Sequence, residues 1–196
     1  MSHHDLSSFR PRLLGISGSL RAASHTTAIL EGLRAPLADK AHYEVFRLNE
    51  VPLYDGDLDT ANPPAGVAAL RAAIAAADGL IVASPEYNYG TSGVLKNAID
   101  WASRPGGQGA IKGKPALIIT SSPGTAGGVR AQYQVREALS GAGARPIVRP
   151  HVAIAQVGGK IEDGKLVEKD ALDFALAAVD GLIEEIRILA HYKALA

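Results

Sequence analysis

The sequence predicts an α/β protein built on a parallel sheet with helices on both faces, and three observations carry that expectation. Short runs such as Gly79 to Ser84 and Pro115 to Thr120 are apolar throughout rather than alternating, the pattern of strands buried on both faces. They take turns with stretches whose apolar residues recur at helical spacing, over the whole chain, which is the signature of a sheet wrapped by crossover helices. The length, 196 residues at 47% hydrophobic content, is that of one domain able to bury a sizeable core. A single domain is expected over residues 11–196, preceded by a flexible tail over 1–10.

The elements follow in order. Arg12 to Ser17 is a short apolar run ending in a Gly/Ser turn, hence a first strand. Ser24 to Leu37 carries Leu30, Leu33 and Leu37 at helical spacing, with Pro36 marking the expected helix end. His42 to Leu48 alternates as a second strand, and Pro52 to Pro64 is a Pro/Gly/Asp-rich connection. Gly66 to Asp78 is Ala-rich and helical in pattern, leading into the third strand, Gly79 to Ser84, which Pro85 is expected to close. Ser92 to Ser103 reads as a helix, Pro115 to Thr120 as a fourth buried strand and Gly128 to Ala142 as a further helix. Pro146 to Ala155 is a broken fifth strand, Gly158 to Val167 a hairpin around Asp163-Gly164, and Lys169 to Tyr192 a closing helix with one apolar stripe. No repeat or linker interrupts the series. Right-handed crossovers then give a five-stranded parallel sheet in the flavodoxin-like order 2-1-3-4-5, a three-layer sandwich. In such sheets a ligand sits beyond the carboxyl ends of the strands at the switch point between the first and third, which directs attention to loops 17–24, 84–91 and 121–128.

Composition removes several functions. Twenty basic and twenty acidic residues balance, so no net field attracts nucleic acid or anionic lipid. The absence of cysteine excludes disulfides, thiolate catalysis and cysteine-held metal centres. The N-terminus is polar and no apolar run approaches membrane-spanning length, so the expected location is cytoplasmic. His3 and His4 lie in the polar terminus and are given no role.

The first loop, Ser17 to Ser24, joins a buried strand to a helix start, where unpaired N–H groups and the helix dipole favour an anion. Its hydroxyls and Arg21 suit a phosphate, but Gly18 is followed by Ser19 and Leu20, matching neither the dinucleotide glycine fingerprint nor a P-loop. A plain turn with Ser24 as N-cap and Arg21 solvated explains the loop equally well. The second loop, Ser84-Pro85-Glu86-Tyr87-Asn88-Tyr89-Gly90, offers two aromatic rings and a carboxamide, suited to covering a planar heterocycle and bonding its polar edge. The third, Ser121 to Gly128, is small enough for a ligand to lie against backbone, though a helix cap also accounts for it. Trp101, one helix later, is taken as structural.

Three segments together resemble the NADPH-dependent FMN reductase family, which includes quinone, azo-dye and chromate reductases. They are Gly18-Ser19-Leu20-Arg21 with Ser24; Ser84 to Tyr89 with Gly93 to Trp101; and Gly127 to Arg136. The similarity runs in order from about Leu13 to Arg149. It implies non-covalent FMN, a reduced nicotinamide (NADPH or NADH) as reductant, and homodimers or homotetramers with the FMN site at a subunit boundary. By that resemblance Ser17, Ser19, Arg21, Ser24 and Thr26 hold the phosphate, with Leu20 in the same cofactor-binding loop. The family often has asparagine where this chain has Thr26. Pro85, Glu86, Tyr87, Asn88 and Tyr89 border the ring and ribityl chain, and Ser121 and Gly124 approach from the third loop.

Such chemistry belongs to the cofactors, so the chain has mainly to stack and orient them and needs no general acid or base. The implied activity is ping-pong transfer from NAD(P)H through FMN to a small acceptor: a quinone, azo dye, metal oxyanion or free flavin. Arg21 and Arg104 are candidates for a nicotinamide 2′-phosphate. Two other readings compete. One is a non-enzymatic electron carrier or interaction module. The other is a serine hydrolase, because Gly15-Ile16-Ser17-Gly18-Ser19 nearly matches a nucleophile elbow.

Overall fold

A computed structural model describes residues 9–195; His3, His4 and most of the expected tail lie outside the described residues. The strands are β1 (Arg12–Ser17), β2 (His42–Arg47), β3 (Gly79–Tyr87), β4 (Gly90–Thr91), β5 (Pro115–Ser121), β6 (Arg145–Pro146), β7 (Val152–Ile154), β8 (Ile161–Glu162) and β9 (Lys165–Leu166). The helices are α1 (His25–Gly32), α2 (Arg34–Leu37), α3 (Ala65–Ala76), α4 (Gly93–Ala102), α5 (Val129–Gly141) and α6 (Lys169–Leu195).

The main sheet runs β2-β1-β3-β5 and then β6 with β7, all parallel. β6 and β7 are two pieces of one line, so the expected broken fifth strand and the order 2-1-3-4-5 are both present, with β4 added as a short antiparallel partner of β3. Alternate residues of each central strand feed opposite layers, as the two-residue repeat of a strand requires. Leu13, Ile81, Ala83, Leu117 and Ile119 pack toward α1 and α6. Leu14, Ile16, Leu80, Val82, Ala116 and Ile118 pack toward α3, α4 and α5. Both faces are buried, which is why β3 and β5 read as continuous apolar runs.

Two expectations need correction. The helix from Ser24 to Leu37 is not continuous: it breaks at Leu33 between α1 and α2, and Pro36 sits inside the second, four-residue piece rather than ending it. Pro85 does not close the third strand. β1 stops pairing at Ala83, while Pro85 still pairs with Ser121 of β5 and Glu86 and Tyr87 turn back against β4. Beyond the end of β1 the strand has become an edge, where a missing N–H breaks no ladder bond.

The long connection after β2 is pinned to the helical layer. Trp101 is fully buried; its Nε1 donates to the Pro52 carbonyl at 2.9 Å and its ring meets Tyr54 edge-on at 4.8 Å. Asn97 Nδ2 donates to the same carbonyl at 2.8 Å, and its Oδ1 accepts from the Tyr54 N–H at 2.7 Å. Arg71 bonds Asp59 at 2.8 Å and the Trp101 carbonyl at 3.0 Å. Trp101 is therefore structural, as its sequence context suggested. Among the described residues no helix is long and apolar enough to cross a membrane.

Candidate functional site

The carboxyl ends of β1, β3 and β5 bring the three loops to one edge, because Ser17 stands opposite Ala83 and Pro85 opposite Ser121. The first loop is drawn inward at Gly18, whose N–H donates to the Ala83 carbonyl at 2.7 Å and whose own carbonyl accepts from Ser92 Oγ at 2.6 Å. A side chain there would place its Cβ 2.8 Å from that Ala83 oxygen, so only glycine permits the approach. Ser92 also caps α4 by accepting from the Leu95 N–H at 3.2 Å.

Ser24 is the N-cap of α1, accepting from the Thr27 N–H at 3.1 Å. Four hydroxyls form a chain behind that helix start: Ser24 to Thr26 at 2.9 Å, Thr26 to Ser17 at 3.1 Å and Ser17 to Thr27 at 2.8 Å. Four hydroxyl protons serve three bonds, so one of the four hydroxyls keeps a proton for another acceptor. The remaining N–H groups of the first helical turn have no intrahelical acceptor, as at any helix start. Such a turn, with a spare hydroxyl proton and the helix dipole, is chemically suited to an anion. Ser19 is buried and accepts from the Arg21 N–H at 3.4 Å, while Leu20 and Arg21 are exposed. On the β2 side, Asn49 Nδ2 takes the Leu20 carbonyl at 3.3 Å and Arg47 the Arg21 carbonyl at 3.2 Å.

The second loop is a two-residue hairpin between Tyr87 and Gly90. Asn88 and Tyr89 have φ of 49° and 64°, the mark of a type I′ turn, and that region is costly for an aromatic residue. Tyr87 and Tyr89 are 51% and 70% exposed, so both rings are available to a planar ligand. Glu86 does something the sequence did not suggest. One carboxylate oxygen accepts from the Arg130 N–H at 2.9 Å and the Ala131 N–H at 3.3 Å, while the other meets the Arg130 guanidinium at 3.2 Å. It thereby caps α5, whose own N-cap position is Gly128, in the left-handed region and without a side chain to offer. Arg130 in turn lies over the Tyr89 ring, 4.4 Å from its centroid. At the far end of the hairpin Gln134 accepts from the Thr91 N–H at 3.1 Å.

In the third loop Ser121 is buried at the end of β5, and the Gly124 N–H donates to Ser122 Oγ at 3.1 Å while its carbonyl accepts from the Gln156 N–H at 3.0 Å. A Cβ on Gly128 would lie 3.1 Å from the Ser121 carbonyl, so the loop presents backbone rather than side chains. Twelve of the thirteen expected cofactor contacts therefore stand on these three loops or the strand ends that carry them, and Thr26 stands in the first turn of α1. Residues missed from sequence are Thr27, Arg47, Asn49, Ser92, Arg130 and Gln134. Of these, Ser92 opened an expected helix, and Arg130 and Gln134 lay in the third segment of family resemblance without a role assigned to them.

Arg104, just after α4, lies over Tyr54 of the pinned connection, 5.7 Å from its ring centroid, and on none of the three loops. The hydrolase reading finds no support. Ser17 Oγ is fully buried and its partners are two threonine hydroxyls, with no histidine bonded to it among the described residues. No group of three or more acidic or histidine side chains among the described residues is placed to hold a metal.

Comparison with known proteins agrees with this architecture. A family model described as NADPH-dependent FMN reductase matches residues 11–159. The chain is 40% identical to an NAD(P)H-dependent FMN reductase of Pseudomonas aeruginosa over 161 residues, covering 82% of this chain and 86% of that one. It is 36% identical to a quinone reductase of Escherichia coli over 186 residues, 90% and 97% of the two chains. Among solved structures, the flavoenzyme NAD(P)H:(acceptor) oxidoreductase FerB of Paracoccus denitrificans superposes with a TM-score of 0.81 at 31% identity, covering 90% of this chain and 97% of that one.

Proposed function

The chain belongs to the NADPH-dependent FMN reductase family and is an NAD(P)H-dependent FMN oxidoreductase; on that premise we propose that it works at the edge formed by loops 17–24, 84–91 and 121–128, delivering electrons to small acceptors. The observation that carries this placement is the convergence on one strand edge of a hydroxyl-lined helix start and a hairpin with two exposed tyrosines. These surroundings fit a flat cofactor with an anionic tail. The tail needs donors at a helix start, and the ring needs aromatic and backbone surface where no Cβ intrudes.

When bound, FMN supplies the two-electron chemistry that no side chain of this cysteine-free sequence offers. Ser17, Ser19, Ser24 and Thr26, with the N–H groups of the first turn of α1, hold the phosphate, and Arg21 adds charge from the rim. Leu20 covers the site from the same loop. Pro85 to Tyr89 border the ring and ribityl chain, and Ser121 and Gly124 close the opposite side. The side chains bind and orient rather than transfer protons. NAD(P)H and the acceptor then occupy the open face in turn, as ping-pong kinetics require. Quinones and free flavin are the acceptors the relatives' names support, and azo dyes and metal oxyanions suit the same open face.

The finer assignments are proposals of the same kind. Residues 11–196 form one domain. Assembly as a homodimer or homotetramer is supported by the exposed Tyr133 and Val148, away from the tyrosine hairpin, which a second subunit would cover. Zero net charge argues against nucleic acid and membrane surfaces as partners, and a nicotinamide reductant argues for the cytoplasm. A visible spectrum of the protein reconstituted with FMN tests the central reading. Flavin bands should bleach with NADPH without oxygen and return with benzoquinone. Absence of FMN binding overturns the placement of the site.

A further inference from the structure

We propose that Arg130 is a positioning residue for acceptor selection: it holds the Tyr89 ring from one face, so that the other face serves as a stacking platform for planar aromatic acceptors. This deepens the function above and rests on the reading that the hairpin borders the flavin.

The hairpin lacks the usual means of holding an exposed ring. Tyr89 sits at the second turn position with φ of 64°, a conformation that its own backbone disfavours, and it is 70% exposed, so no core packing orients it. The Arg130 guanidinium supplies the constraint, 4.4 Å from the ring centroid. It is fixed in turn by Glu86, whose oxygens take both the Arg130 side chain at 3.2 Å and the Arg130 N–H at 2.9 Å. Gln134, one turn further along α5, takes the Thr91 N–H at 3.1 Å, so the hairpin is tied to the same helix on both sides.

Two consequences follow. With the guanidinium carbon 4.4 Å from its centroid and the side chain 70% exposed, the ring keeps accessible surface for a ligand, and an electron-rich phenol face suits an electron-poor planar ring such as a quinone. A compact anion without a flat face gains nothing from that platform. Arg130 therefore biases the enzyme toward planar acceptors by keeping Tyr89 in one orientation. If the ring is oriented only part of the time, apparent affinity falls by that fraction.

The test uses the FMN-reconstituted enzyme with Arg130→Lys, Arg130→Met and Tyr89→Ala. Lysine keeps the charge but loses the planar fork that stacks. Three quantities are read: the dissociation constant of FMN for the apoprotein, that of 1,4-naphthoquinone for the oxidised holoenzyme without reductant from perturbation of the flavin bands, and KM and kcat with naphthoquinone and with ferricyanide. All three variants are expected to raise the naphthoquinone dissociation constant and KM about three- to tenfold, more than they lower kcat. In Arg130→Lys, FMN affinity and the ferricyanide KM are expected to move by less than about twofold. Wild-type quinone binding in Arg130→Lys overturns the proposal by showing that charge alone matters. Equal losses for quinone and ferricyanide, or for quinone and FMN, overturn it by showing a general disturbance. Failure of the wild-type apoprotein to bind FMN overturns the placement of the site itself, which separates the two claims.

Discussion

Two hairpins in this molecule share a turn type and differ in what their turns carry. Both have two-residue loops with positive φ at each central position: Asn88 and Tyr89 at 49° and 64°, Asp163 and Gly164 at 47° and 71°. The Asp-Gly turn is the inexpensive solution, since aspartate tolerates that region and glycine has no Cβ to strain. The Asn-Tyr turn places a bulky ring where glycine belongs. Each hairpin also stands beside a glutamate that caps a helix. Glu168 caps α6 from the adjacent position, accepting from Ala171 at 2.9 Å and Asp170 at 3.3 Å, with Lys160 at 3.0 Å. Glu86 reaches α5 across 44 residues of sequence. The hairpin on loop 84–91 thus carries backbone strain at an aromatic residue, whereas the one at 161–166 has an easy Asp-Gly turn and is held by Leu166 buried against α1, which is the distribution expected where a site must present a ring.

The comparison breaks first at Glu86. Glu86→Ala removes a carboxylate that is only 11% exposed in its side chain and bonds two helix-start N–H groups. It should cost about 2 kcal/mol in urea denaturation, and a loss under about 0.5 kcal/mol would mean water replaces the cap readily. The turn positions sharpen the contrast at a smaller scale. A Cβ on Gly164 meets no atom within 4 Å, so Gly164→Ala should be destabilised by about 1 kcal/mol through φ alone, with activity untouched. At the other turn, Tyr89→Gly should be about 1 kcal/mol more stable than Tyr89→Ala, since both lose the ring and only glycine relieves the backbone. Equal stability of that pair would show that the Tyr89 turn stores no strain.

The smallest effect concerns Glu168. The Ala171 N–H, then the Lys160 ammonium, hold its carboxyl below the ordinary value of 4.5. A depressed folded-state value stabilises the fold above the unfolded value and loses that contribution as pH falls through the folded one. Glu168→Gln should therefore lower Tm slightly at neutral pH, with the gap closing below pH 4.5. A gap that stays constant across that range would assign the effect to shape rather than charge.

Much of the fold was legible because each signal was local. The runs Gly79 to Ser84 and Pro115 to Thr120 declared buried parallel strands, and Asp163-Gly164 declared its turn. The N-caps Ser24 and Ser92 stood directly before helical periodicity. Legibility failed where a long-range partner changes what a residue means. Pro85 reads as a strand terminator until β1 is seen to end at Ala83. Asn88-Tyr89 carries no glycine to announce its turn. Nothing local marks Gln132 as buried, yet its Nε2 lies between the Ile118 and Val152 carbonyls at 3.2 and 2.8 Å, linking β5 to the detached second piece of the fifth strand.

The sequence by itself therefore determined the layered α/β fold, the strand order and the loops that meet at the switch point, because periodicity and turn chemistry act between near neighbours in the chain. Its resemblance to a known family added the cofactor. Only the tertiary structure decided how those loops are held: Gly18 pressed against Ala83, Trp101 and Asn97 pinning Pro52, and Glu86 and Arg130 fixing Tyr89. Each of these is a hydrogen bond or ring contact between residues far apart in the chain. Its energy exists only once the sheet has brought the partners within reach, and no local pattern encodes it.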